Sequence, residues 1–263
     1  MGKSRRWDSH PTDPDAPFGG NAKYIFVGLT AVAAIALTVI AFNVTRPAVS
    51  NAQPGAIPTF SSPPSMSHPS VAFFGDSYTA GTGSTTQAQR FTTVLSALEG
   101  WSEVNLGQGG TGYSSAVTGS GAQNACGLSL CPSYDGMIAA AATAKPRIVV
   151  VSGGRNEASH DPALIVAGIS KFFSDLHAAL PDAKIYATSP LWDATPPPAA
   201  LRLIAQSVRD SVTAAGGTYL DIGQPLTGKP DLIIPDGIHP NDAGHAAIAA
   251  AIVATYPAPA KKP

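Results

Sequence analysis

Five short β-prone runs, separated by longer segments with helical patterning, limit what this chain can fold into more than any other feature. They are "SVAFF" at 70–74, "SEVNL" at 102–106, "RIVVV" at 147–151, "KIYAT" at 184–188 and "GTYLDI" at 217–222. Strands alternating with helices are the pattern of βαβ units, so an α/β domain is expected, with a five-stranded parallel sheet covered on both faces. The clearest helix is "DPALIVAGISKFFSDLHAAL" at 161–180. Asp161 can cap it, Pro162 suits its first turn, and Leu164, Val166, Ile169, Phe172, Phe173, Leu176 and Leu180 are read as its apolar stripe. Further helices are expected at 89–98, 199–215 and 242–256.

Not all of the apolar content belongs to that domain. Residues 24–44, "YIFVGLTAVAAIALTVIAFNV", are 21 in a row without a formal charge, enough at ~1.5 Å per residue to cross a bilayer core of ~30 Å. A cleaved signal peptide has a shorter apolar region of about 7–15 residues, so an uncleaved transmembrane helix is expected. The weak small-x-small match "SNAQ" at 50–53 marks the alternative, secretion after cleavage. Lys3, Arg5, Arg6 and Lys23 precede the helix and only Arg46 closely follows it, which places 1–23 in the cytoplasm and the rest outside. Residues 45–69 are rich in Pro and Ser and read as a linker. That leaves 70–258 as one domain, taken as monomeric, and 259–263 as a tail.

Cys126 and Cys131 fall in the outer part, where a pair so spaced is expected to form a disulfide; a metal site would need further ligands nearby. With a net charge of −1, no basic aromatic patch and no phosphate-cradling glycine motif, nucleic acid is not an expected partner.

Polar clusters follow four apolar runs: Gly75-Asp76-Ser77, "NLGQGGTGY" at 105–113, "SGGRNE" at 152–157 and "DGIHPNDAGH" at 236–245. In an open parallel sheet such loops converge at the carboxyl ends of the strands, where ligands bind. A serine needs an adjacent base, usually an imidazole oriented by a carboxylate, and His239 and Asp236 have the spacing to supply both. Backbone N–H groups of Ser77 and Gly110 and the amide of Asn156 can converge on a developing oxyanion. Gly107, Gly109 and Gly112 compete with Gly110 for that role.

These residues resemble the SGNH, or GDSL-type, hydrolase family, whose blocks carry a Ser after Gly-Asp, a Gly, an Asn in Gly-x-Asn-Asp and a His in Asp-x-x-His. Gly75-Asp76-Ser77, Gly110, Gly154-Arg155-Asn156 and Asp236-Gly237-Ile238-His239 match them in order. The resemblance implies a flavodoxin-like three-layer α/β/α fold and Ser77, His239 and Asp236 as catalytic triad. It also implies an ester substrate, either a small molecule, a glycan or a lipid, and no metal or organic cofactor. Glu157 departs from the family's Asp.

The chain is therefore expected to be a membrane-anchored extracytoplasmic serine esterase. The competing readings are an acyltransferase of envelope glycans or lipids and a non-catalytic envelope-binding module. Trp192, Tyr78 and Arg155 are candidate substrate-binding residues and Asp193 an acidic rim residue. Asp76 is taken as a turn residue, His245 as a surface or cap residue, and His160 and His177 as solvated.

Overall fold

A computed structural model describes residues 68–257. The expected transmembrane helix, the cytoplasmic segment, nearly all of the linker and the whole tail lie outside the described residues. In chain order the elements are β1 (Ser70–Gly75), α1 (Ser77–Ala80), α2 (Phe91–Glu99) and β2 (Ser102–Asn105). A small antiparallel pair, β3 (Val117–Thr118) and β4 (Leu130–Cys131), brackets α3 (Gly119–Cys126). Next come α4 (Tyr134–Ala144), β5 (Ile148–Ser152), α5 (Pro162–Ala179), β6 (Lys184–Thr188), α6 (Ala200–Ala214), β7 (Thr218–Leu220) and α7 (Asp242–Thr255).

The main sheet has the order β2-β1-β5-β6-β7 with every pair parallel. Alternation along its strands divides the core in two. Ala72, Phe74, Val149 and Val151 face α4, α5 and α6, while Val71, Phe73, Ile148 and Val150 face α2 and α7. Both faces are covered, which is why these strands read as continuous apolar runs. From β1 the connection runs outward to β2 and then back across to β5. The crevice between the carboxyl ends of β1 and β5 is thus the point where strand order reverses, and where open α/β sheets bind ligands.

Differences from the expected elements have local causes. Helix α5 is capped by Asp161, which accepts from the Ala163 and Leu164 N–H groups. Its buried stripe, however, is Ile165, Ile169, Phe172, Phe173 and Leu176; Leu164 and Val166 are 63% and 43% exposed. Those two lie a residue off the 3.6-residue phase set by the bulkier aromatics. Helix α4 was not expected. It buries Tyr134, Met137, Ile138 and Ala141, a helical stripe hidden in sequence by Gly136 and a run of alanines. The segment "DLIIP" at 231–235, just before the Asp236 turn, overlaps the 3-10 turn Pro230–Leu232 and makes one bridge, between Ile233 and Pro240. His245 is fully buried, not at the surface. It shares a face of α7 with Ile248, Ala249 and Ile252, accepts the Phe91 N–H at Nδ1, and faces the Thr82 carbonyl with Nε2 at 3.2 Å. Cys126 and Cys131 form the expected disulfide.

Candidate active site

The chain leaves β1 through Asp76 and enters α1 at Ser77. Asp76 is extended, and its Oδ1 accepts the Tyr78 N–H at 2.9 Å, so a buried carboxyl caps the short helix and points the next side chain, Ser77, into the crevice. The Ser77 N–H, at the first helical position, meets no protein acceptor among the described residues, and neither does that of Gly110.

The turn at 236–239 delivers the base. Asp236 Oδ1 accepts the N–H groups of Ile238 and His239, which folds the turn around the carboxylate. Its Oδ2 lies 2.6 Å from His239 Nδ1, and His239 Nε2 lies 3.0 Å from Ser77 Oγ. Partial desolvation alone would raise the Asp236 pKa, but the hydrogen bonds from the His239 ring and the two backbone groups outweigh it and hold it at about 2. Asp236 is therefore ionised wherever a neutral imidazole can act as base. Pro240 O presses on Gly83, where a Cβ would stand 2.2 Å from that oxygen, so the loop after Ser77 and the His239 turn fit only with glycine there.

Asn156 lies in the 3-10 turn Arg155–Glu157 that follows β5. Its Nδ2 donates one hydrogen to the Thr111 carbonyl at 2.8 Å, leaving the second for the cleft. Ser77, Gly109, Gly110, Asn156, Arg155, Ile238 and His239 line a single cleft of about 380 Å³, with Gly121, Asn124 and Ala125 of α3 completing its wall. Every residue expected for the triad and the oxyanion donors is thus brought to one place. Gly107 does not line it: a Cβ there would lie 2.4 Å from Ala80 N, so this glycine is needed for close packing. Gly112 likewise packs on Glu157, whose Oε1 accepts from Ser114 N, Ser115 N and Ser115 Oγ and so ties the Asn156 turn to the glycine loop.

Three of the remaining expectations are corrected. Tyr78 is buried, not open to substrate; its hydroxyl donates to the Ile238 carbonyl and its ring edge meets the His239 ring at 5.9 Å. Trp192 lies outside the cleft wall and stacks on the Arg155 guanidinium at 4.0 Å. Asp193 is buried and paired with Arg155 at 2.7 Å, so it is not a rim residue. Arg155 does line the cleft, and its Nη1 reaches the Tyr78 hydroxyl at 3.4 Å. His160 and His177 are exposed, as expected.

Residues 73–247 match the GDSL-like lipase/acylhydrolase family, a span that contains all four polar blocks. The chain belongs to that family. It is 28% identical over 186 residues to a GDSL lipase of Mycobacterium tuberculosis, covering 66% of this chain and 76% of that protein. Its fold is similar to that of the esterase EstA from a Pseudoalteromonas species, with TM-score 0.55, 15% identity and coverage of 71% and 96% of the two chains. A carbohydrate acetylesterase from Sinorhizobium meliloti is similar at TM-score 0.51 and 17% identity, over 71% of this chain and 97% of that one. Membership of the GDSL-like lipase/acylhydrolase family supports acyl-ester hydrolysis as the chemistry of this cleft.

Two outcomes follow from these contacts. Burial, reinforced by the nearby Glu157 carboxylate, pushes Asp76 up to about 7 from its ordinary 3.8, against the opposing Tyr78 N–H bond and Arg155 charge. Between those values the folded protein binds more protons at this site than the unfolded chain, so the site's contribution to stability declines as pH rises from 4 to 7. Asp76→Asn keeps a cap oxygen, and in urea titrations it should remove a decline of up to about 1.4 kcal/mol per pH unit; an unchanged slope would contradict the assignment. Tyr78→Phe keeps the ring but loses the bond to Ile238. Its kcat on an activated ester should fall about 10-fold with KM shifted less than about twofold, whereas equal changes in both would remove Tyr78 from its positioning role.

Proposed function

We propose that this GDSL-family protein is a serine esterase, membrane-anchored and acting outside the cytoplasm, that works through an acyl-serine intermediate. The observation that carries the reading is His239 bridging Ser77 Oγ at 3.0 Å and Asp236 at 2.6 Å. Ser77 attacks the ester carbonyl as His239 Nε2 takes its proton, and the adjacent Asp236 charge stabilises the imidazolium that forms. The tetrahedral oxyanion is held by the free N–H groups of Ser77 and Gly110 and by the second amide hydrogen of Asn156. Its collapse returns the proton from His239 to the leaving alcohol. Water then attacks the acyl-serine, with His239 as base again, to release the acid.

The apolar segment 24–44 supports anchoring, and the basic residues before it support a cytoplasmic N-terminus. The Cys126–Cys131 disulfide supports an oxidising compartment. Chain isolated from cells under thiol-blocking conditions should carry this disulfide; two free thiols would argue for the cytoplasm.

The activity is tested with the full chain in detergent and a panel of esters of graded acyl length. Wild type should hydrolyse members of the panel and Ser77→Ala should lose at least about 1000-fold in turnover. Retained turnover in that variant would overturn the nucleophile assignment.

A further inference from the structure

From Val104 to Tyr134 the chain has no Asp, Glu, Lys or Arg, although charged residues make up 13% of the whole. This uncharged stretch is not simply core. It forms the glycine loop with Gly110, the β3–β4 hairpin and α3, three of whose residues line the cleft. Leu128, in the turn after α3, and Leu130, the first residue of β4, are 55% and 48% exposed. Ile238, between Asp236 and His239 and also lining the cleft, is 41% exposed. Of the seven large hydrophobics exposed among the described residues, three therefore sit on the elements that build this one cleft.

The disulfide from Cys126 to Cys131 closes the leucine loop at both ends, and Cys131 is itself buried. A closed loop is already ordered, so little conformational freedom remains to be lost when it meets a partner. Exposed leucines gain free energy on entering an apolar phase, and a neighbouring charge would oppose that by its own desolvation. Here no charge adjoins them in sequence until Asp135. Within the cleft, the Arg155 charge is already matched by Asp193. The apolar segment at 24–44 gives the chain a second element suited to a bilayer.

From these features we infer that the Cys126–Cys131 loop is a docking finger that seats its leucines in the surface of a lipid bilayer, so that uncharged acyl esters dissolved there reach Ser77. The inference rests on the esterase reading of Ser77 and specifies its substrate class.

The test uses the full chain reconstituted in phosphatidylcholine vesicles, with water-soluble p-nitrophenyl acetate and bilayer-dissolved p-nitrophenyl palmitate as paired substrates. In the Leu128→Ser/Leu130→Ser double variant, acetate hydrolysis should stay within about twofold of wild type while palmitate hydrolysis falls about 10-fold or more. Retained acetate turnover also reports that the variant is folded. Equal rates on palmitate would overturn the finger, and so would a parallel loss on both substrates, repeated in Leu128→Ala/Leu130→Ala. Absence of any Ser77-dependent hydrolysis by wild type would instead overturn the esterase reading on which the inference rests.

Discussion

The hydrogen bond from the Tyr78 N–H to the buried Asp76 carboxyl turns a central sheet strand into a helix within one residue. Everything in the cleft is arranged around that turn. Because β1 lies between β2 and β5, beside the point where the order reverses, its end is flanked by the glycine loop after β2 and by the Asn156 turn after β5. A serine at the first helical position there has its own N–H free and two further donors within the same cleft. The imidazole is brought in by a fourth segment from outside the sheet.

That fourth segment has to be held, since it follows no strand. Three contacts do so from different directions. Tyr78 reaches the Ile238 carbonyl from α1, the loop after Ser77 packs Gly83 against Pro240, and Asp242 accepts from Thr85 N at 2.8 Å and Thr85 Oγ1 at 2.7 Å. Buried His245 adds a link from α7 to Thr82 and Phe91; desolvation lowers its pKa, so it enters the core neutral. Two histidines six residues apart thus serve opposite purposes. His245 lies on the sheet-facing side of α7 and connects that helix to its neighbours, whereas His239 precedes the helix on the partly exposed Asp236 turn, within reach of Ser77.

Much of the fold was legible because parallel strands buried on both faces leave an unbroken apolar record. The β6 boundaries at 184–188 agree with the expectation, β1 extends one residue further, to Gly75, and β5 shifts by one residue. Helix α4 was missed because alanine is apolar on every face and gives the stripe no contrast. That Ser77, His239 and Asp236 would meet was readable from side-chain chemistry together with the order of the four blocks. The surroundings were less so. That Tyr78 would bind a carbonyl 160 positions away, or that Asp193 would be buried against Arg155, depends on how loops from three strands meet, which no local spacing encodes. Glu157 illustrates the same limit: its longer side chain is accommodated by a glycine, Gly112, 45 residues earlier.

The proposed reactivity of Ser77 as a nucleophile depends on the Asp236–His239 pair. Its most direct measurement is the rate of covalent labelling by a fluorophosphonate, with the modified residue located by peptide mass spectrometry, in wild type and in Asp236→Asn. A single adduct on Ser77 is expected in wild type, with labelling slowed by about 1000-fold or more in the variant, since the amide can neither fix the imidazole tautomer nor stabilise its charge. An adduct on another serine, or equal labelling rates in the two proteins, would contradict it.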